Sequence, residues 1–274
     1  MRLATPLTVT LLFFALLGSL SLNLYLYSTS YRYYTNLQRL FLDPLGLSAY
    51  PTSFPTHLAT SFKELDPRSP KTVVLLGDSR AYSWPLEFPA SVEVINRGIN
   101  GQTSSQVLGR AQAHLQDLHP QLVVIQVGIN DLKMIPLFPD QEANIIQTYK
   151  TNLVSLVGEI HSMGAIAVVT TLFPLGTVPL KRRLVWSDRV ELAVEDINDF
   201  IRRLESAPET QEPKVWVFDA AQLLQQGASR RIQPQYSQDL LHITQAGYDR
   251  LNADLIPLLQ EALNLSAPPS DAIL

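Results

Sequence analysis

The chain has 274 residues, 46% of them hydrophobic and 17% charged, with a formal net charge of −4. That length suits one catalytic domain with an appendage, and scattered signs with no basic stripe exclude a phosphate-backbone partner, so no nucleic acid is expected. The absence of cysteine excludes disulfides, thiolate catalysis and cysteine-ligated metal.

In residues 6–27 no side chain except tyrosine is ionisable. A helix of roughly 22 residues spans about 33 Å, enough to cross a bilayer core. Residues 1–27 therefore read as a membrane-targeting segment: an uncleaved anchor, a signal peptide cleaved near Ser19-Leu20-Ser21, or a helix buried in the folded domain. Its length, and a cluster of Tyr25, Tyr27, Tyr31, Tyr33 and Tyr34 where an interfacial belt would lie, favour the transmembrane anchor. Arg2 on one side nearly balances Arg32 and Arg39 on the other, so basic residues do not orient the segment. An exported catalytic domain, periplasmic or extracellular, is expected because a single N-terminal segment commonly delivers one. Residues 28–70, with Pro44, Pro51, Pro55, Pro67 and Pro70, read as a proline-rich stalk holding one helix near 33–41.

From Lys71 apolar runs alternate with amphipathic stretches. Strands are expected at 73–76, 92–96, 122–127, 165–170 and 215–218, and helices at 104–118, 141–163, 188–205 and 245–263. Five strands alternating with helices imply an α/β domain over 71–265 with a five-stranded parallel sheet covered on both faces. Residues 266–274 are expected as a flexible tail.

Four segments fall on the rim where open α/β sheets collect their chemistry, three after strands and the fourth just before the last helix. The first is Gly77-Asp78-Ser79-Arg80, closing the run Val73-Val74-Leu75-Leu76; it is either turn chemistry or the seat of a nucleophile, Ser79. The second, Asn96-Arg97-Gly98-Ile99-Asn100-Gly101-Gln102-Thr103-Ser104, carries two glycines that permit close backbone approach. The third, Gly128-Ile129-Asn130-Asp131, places a neutral amide just past a strand, where it can donate to an oxyanion. The fourth is Asp239-Leu240-Leu241-His242. An acid three residues before a histidine brings its carboxylate onto Nδ1 within one turn of chain and leaves Nε2 free. His57, His114, His119 and His161 lack that setting and are expected to have surface or capping roles.

Together, and in this order over 71–263, the four segments resemble the SGNH, or GDSL, hydrolase family, matching its Gly-Asp-Ser, glycine, Gly-x-Asn-Asp and Asp-x-x-His blocks. The resemblance implies a flavodoxin-like three-layer α/β/α domain that hydrolyses esters through an acyl-enzyme. It implies Ser79 as nucleophile, His242 as general base and Asp239 as its orienting acid. It further implies an oxyanion hole made by the Ser79 and Gly101 backbone N–H groups and the Asn130 side chain. Arg80, where relatives usually carry an apolar residue, departs from the pattern; it would either face the substrate pocket or turn outward to an acid. Gln102 replaces a frequent aspartate.

The segment 172–186 is the longest irregular stretch at the expected rim and reads as a wall or lid, with Lys181-Arg182-Arg183 as a solvated run or a contact for an acidic ligand. The expected substrate is an acyl lipid or an O-acetylated glycan. An envelope O-acyltransferase using the same triad, or a non-catalytic envelope-binding domain, are the alternatives. No cofactor and no metal are expected, since a Gly-x-Gly-x-x-Gly or phosphate-gripping loop is missing and the His114/His119 pair has no cysteines to complete a zinc site.

Overall fold

Runs of branched apolar residues without polar alternation, as at 73–76 and 122–125, suit strands buried on both faces, and all five expected strands form. In a computed structural model, which describes residues 5–46, 71–88, 92–183, 185–205, 214–227 and 229–264, they are β1 (Lys71–Gly77), β2 (Val92–Gly98), β3 (Leu122–Gln126), β4 (Ile166–Thr170) and β5 (Trp216–Phe218). All pair in parallel in the order β2-β1-β3-β4-β5. β1 lies between β2 and β3, Leu75 opposite Asn96 of β2 on one side and Val124 of β3 on the other.

Alternate residues of each strand feed two separate cores, which makes the domain three layers deep. Val74, Leu76, Val123, Ile125, Ala167 and Val169 pack with apolar side chains of α3 (Ser104–Leu115), α5 (Glu142–Ser162) and α6 (Arg189–Glu205). Val73, Leu75, Leu122, Val124 and Val168 pack with those of α7 (Ala220–Leu224) and α8 (Gln245–Ala262). In α6 the buried residues Val190, Ala193, Val194, Ile197 and Ile201 recur at three and four, one stripe of a helix whose other face is charged. Each fully buried Val, Leu or Ile contributes about 1.5–3 kcal/mol. Two single-turn helices follow strand ends directly, α2 (Ser79–Tyr82) after β1 and α4 (Ile129–Leu132) after β3.

The chain divides into two units, Met1–Gly46 and Leu47–Leu274. The first is dominated by one helix, α1 (Pro6–Leu42), of 37 residues. The irregular stalk expected from Ser28 does not begin there: no proline or further glycine follows Gly18 until Pro44, so nothing breaks the ladder before Leu42. Within 6–38 α1 is long and apolar enough to cross a membrane, its most apolar 18 residues having a mean hydropathy of 2.0. The remainder of the expected stalk, 47–70, and the tail, 266–274, lie outside the described residues.

Candidate active site

The four sequence segments all lie at the C-terminal edge of the sheet, three of them directly after β1, β2 and β3. β1 ends in Gly77, and Asp78 caps α2 by accepting the Arg80 N–H at 2.9 Å. Ser79 is thereby the first residue of that turn. Gly98, at the end of β2, lets the sheet approach α2: a Cβ there would lie 2.2 Å from the Tyr82 backbone nitrogen.

A continuous polar chain runs from this serine. Ser79 Oγ lies 3.1 Å from His242 Nε2, and His242 Nδ1 lies 3.0 Å from Asp239 Oδ2. Asp239 Oδ1 also accepts the backbone N–H of Leu241 at 2.7 Å and of His242 at 2.8 Å. Burial pushes the Asp239 carboxyl up, but the bonds from the His242 ring and from these two N–H groups outweigh it and hold it below the usual carboxylate range. An ionised carboxylate only accepts, so it keeps the imidazole proton on Nδ1 and leaves Nε2 as the acceptor facing the serine hydroxyl.

Around the same cleft, no acceptor for the backbone N–H of Ser79 or Gly101 is found among the described residues. Gly101 has φ +80°, a conformation that favours glycine. Asn130 is fixed from both ends: Nδ2 donates to Gln102 O at 2.9 Å and Oδ1 accepts from Lys133 Nζ at 2.5 Å. An ammonium only donates and a carbonyl only accepts, so this pair determines which way the amide faces and leaves its second N–H proton uncommitted. Asp131 accepts the Ser104 N–H at 2.9 Å and its hydroxyl at 2.6 Å, tying the β3 loop to α3. Burial raises the Asp131 carboxyl to about 6 against the opposing pull of those Ser104 bonds. Ser79, Gly101, Asn130 and His242 line one open cleft of about 640 Å³.

Arg80 takes neither course expected of it. It is fully buried, donating from Nε to Leu241 O at 2.8 Å and from Nη1 to Phe173 O at 3.3 Å, with its guanidinium 5.1 Å from the Phe173 ring centre. Burial lowers its pKa to about 10, against the pull of Asp78, Tyr248 and Asp239. It thus braces, from beneath, the carbonyl that precedes His242, while the Tyr248 hydroxyl donates to its own backbone oxygen at 2.9 Å. Trp84 packs against Phe173 and Tyr248 and donates to Asn252 Oδ1 at 2.7 Å, fastening the chain after α2 to α8.

The segment 172–186 is only partly a wall. Leu172, Phe173 and Leu175 are buried core residues, because they run under the Asp239–His242 turn; Gly176 donates to Leu240 O at 2.9 Å, and a Cβ there would meet Asp239 O at 2.2 Å. Of its basic run, Arg182 reaches the cleft. His114 is likewise not at the surface: it is buried in α3 with Nδ1 3.1 Å from Arg110 Nη1. Arg110 also donates to Gly77 O at 2.9 Å and to Gln102 Oε1, so the residue standing for the family's aspartate is held by a buried arginine. Lys133 and Gly176 had no signal in the sequence, since a lone lysine after a helical turn and a glycine two residues after Pro174 are ordinary loop chemistry.

A sequence model of the GDSL-like Lipase/Acylhydrolase family matches residues 76–250. Among curated proteins no match is found. Among solved structures, a GDSL-like lipase from Bacteroides thetaiotaomicron is similar at a TM-score of 0.56 and 23% identity, covering 76% of this chain and 95% of that one. The lipase/acylhydrolase from Enterococcus faecalis is similar at 0.51 and 20%, covering 73% and 100%. The acetyl xylan esterase AlAXEase is similar at 0.55 and 13%, covering 69% and 99%. At these identities the likeness to solved structures is one of fold.

Proposed function

The chain belongs to the GDSL-like Lipase/Acylhydrolase family and is an ester-cleaving hydrolase, and on that premise we propose that Ser79 is the nucleophile of an acyl-enzyme mechanism. The observation that carries this reading is the unbroken chain from Ser79 Oγ through His242 to Asp239, at 3.1 and 3.0 Å. As Ser79 attacks the scissile carbonyl, its proton passes to His242 Nε2 and the imidazolium is stabilised by the Asp239 carboxylate. The developing oxyanion is met by the N–H groups of Ser79 and Gly101 and by the uncommitted Asn130 amide proton, donors already in place before charge appears. Collapse returns the proton from His242 to the departing alcohol oxygen. Water, deprotonated by the same imidazole, then releases the acid.

The triad side chains lie open to solvent, with His242 37% and Asp239 54% exposed. A transferase has to keep water from its acyl-enzyme, so this openness supports hydrolysis over acyl transfer. The cleft volume of about 640 Å³ accommodates a short acyl chain or an acetylated sugar unit. The length and apolarity of α1 support a membrane anchor; we infer in addition an exported hydrolase domain whose substrate is an envelope lipid or glycan ester.

The test is labelling by a fluorophosphonate together with turnover of 4-nitrophenyl acetate. Wild type takes up one label at Ser79 and turns over the ester; Ser79→Ala does neither while keeping its melting transition. Turnover by Ser79→Ala within tenfold of wild type refutes the assignment. Alkaline carbonate extraction of membranes and protease access to intact cells test the anchor and its side.

A further inference from the structure

Among the described residues the cleft is lined by two cations, Lys133 and Arg182, beside Ser79, Asn130 and His242, and by no carboxylate; the adjacent Asp239 carboxylate is engaged by the His242 ring and two backbone N–H groups. The two cations come from separate parts of the chain. Lys133 caps the C-terminus of α4 three residues beyond Asn130, and Arg182 ends a short turn of helix, Leu180–Arg182, after β4. They are near enough to feel one another: burial is the main cause lowering the Lys133 pKa, and Arg182 adds to it. Asp78 and Asp131 pull the other way, but both are buried behind the cleft wall and already accept hydrogen bonds from Arg80 and Ser104.

Six other cations of the same unit are paired with acids. Lys150 pairs with Asp196, Arg189 with Glu142, Arg202 with Asp219, Arg230 with Glu195, Arg231 with Glu191 and Arg250 with Asp254. Lys133 and Arg182 form no ion pair among the described residues. Lys133 spends one donor on Asn130 Oδ1 and has two left; the Arg182 guanidinium has five. Two like charges with no acid in direct contact, beside low-dielectric walls, favour an anion inside a cleft on a chain that is itself negative.

We propose that the ester this enzyme selects carries an anionic group, a carboxylate, phosphate or sulfate, close enough to the scissile bond for Lys133 and Arg182 to hold it. This rests on the esterase reading of the same site and adds to it the charge of the substrate. The geometry is economical, since the ammonium that meets the anion also fixes the face of the Asn130 amide. An acidic substrate would therefore be seated beside the oxyanion donors.

Two matched pairs of esters test it and separate the possible positions of the charge. On the acyl side the pair is 4-nitrophenyl hydrogen succinate and its methyl ester; on the alcohol side it is an O-acetylated methyl glucuronoside and its methyl ester. In at least one pair kcat/KM for the anion is expected to exceed that of the neutral partner by about tenfold or more, and the ratio to shrink several-fold between about 0.05 and 0.5 M salt. Arg182→Gln should shrink the same ratio whatever it does to absolute rates. Turnover of the neutral esters with no anion preference in either pair, or a preference that neither salt nor Arg182→Gln reduces, overturns the inference and leaves the esterase reading standing. No turnover of any ester by a protein with a native melting transition overturns both.

Discussion

Gly98→Ala probes the proposed nucleophile, Ser79, without touching it. A Cβ at position 98 would lie 2.2 Å from the Tyr82 nitrogen, 2.5 Å from its Cα and 2.8 Å from the Ala81 carbonyl carbon. All three are backbone atoms at the end of α2, so no side chain can swing aside. Restoring ordinary contact at about 3.4 Å requires the strand end and the turn to part by roughly 1 Å. Ser79 begins that same four-residue turn, and displacing it by this amount stretches the 3.1 Å contact to His242 Nε2 to about 4 Å, beyond hydrogen-bond reach. A misplacement of that size costs about 10²-fold in rate, and the overpacking about 1–3 kcal/mol in stability. The assay is kcat on 4-nitrophenyl acetate, measured below the melting transition of the variant. Gly158→Ala serves as control, because a Cβ there meets nothing within 4 Å. A folded Gly98→Ala protein with kcat within threefold of wild type would refute the idea that this close approach sets the position of Ser79.

Asn130→Ala is expected to lower kcat on the same ester by about 10²–10³ with KM changed only a few-fold, since the amide acts where charge develops; an effect confined to KM would make it a binding residue instead. Asp239→Asn is expected to cost as much as about 10⁴ in kcat: the Asn oxygen keeps the Leu241 and His242 N–H bonds, its NH₂ then faces Nδ1, and the ring proton is forced onto Nε2, where it blocks acceptance from Ser79. Full activity in that variant would remove Asp239 from the mechanism. Asp131 makes stability depend on pH. Its carboxyl goes from 3.8 in the unfolded chain to about 6 in the fold, so its contribution is complete below about pH 3.8 and is lost as pH rises through 6, about 3 kcal/mol in all. The stability difference between wild type and Asp131→Asn, followed by denaturant unfolding from pH 4 to pH 7, should move against wild type by about that amount; a flat difference would refute it.

Much of the architecture is legible because its causes are local. Val73 to Leu76 and Leu122 to Ile125 are apolar on both faces, which only a covered parallel sheet accommodates, and the i, i+3 spacing of Asp239 and His242 brings acid and imidazole together within one turn. What the sequence withholds depends on partners far along the chain. Arg80 is charged and reads as a surface or pocket residue, but the carbonyls that receive it belong to Phe173 and Leu241, 93 and 161 residues away. Lys133 acquires meaning only when Asn130 and Arg182 stand beside it. The buried half of 172–186 looked like loop because prolines and a glycine interrupt it, although those residues let it pass under the His242 turn. The prolines from Pro44 onward make 28–70 read as a stalk with one helix near 33–41, whereas in the structure that helix is the unbroken continuation of α1 to Leu42.

The carboxylate of Asp239 grips the backbone of the turn that carries His242 with one oxygen and its ring with both. The pair is a cassette, stiff within itself and linked to the serine by a single contact. A displacement of that turn from α2 would carry the proposed proton acceptor and its counter-charge together, so it would tell on the one contact with Ser79 Oγ and leave the His242–Asp239 pair intact.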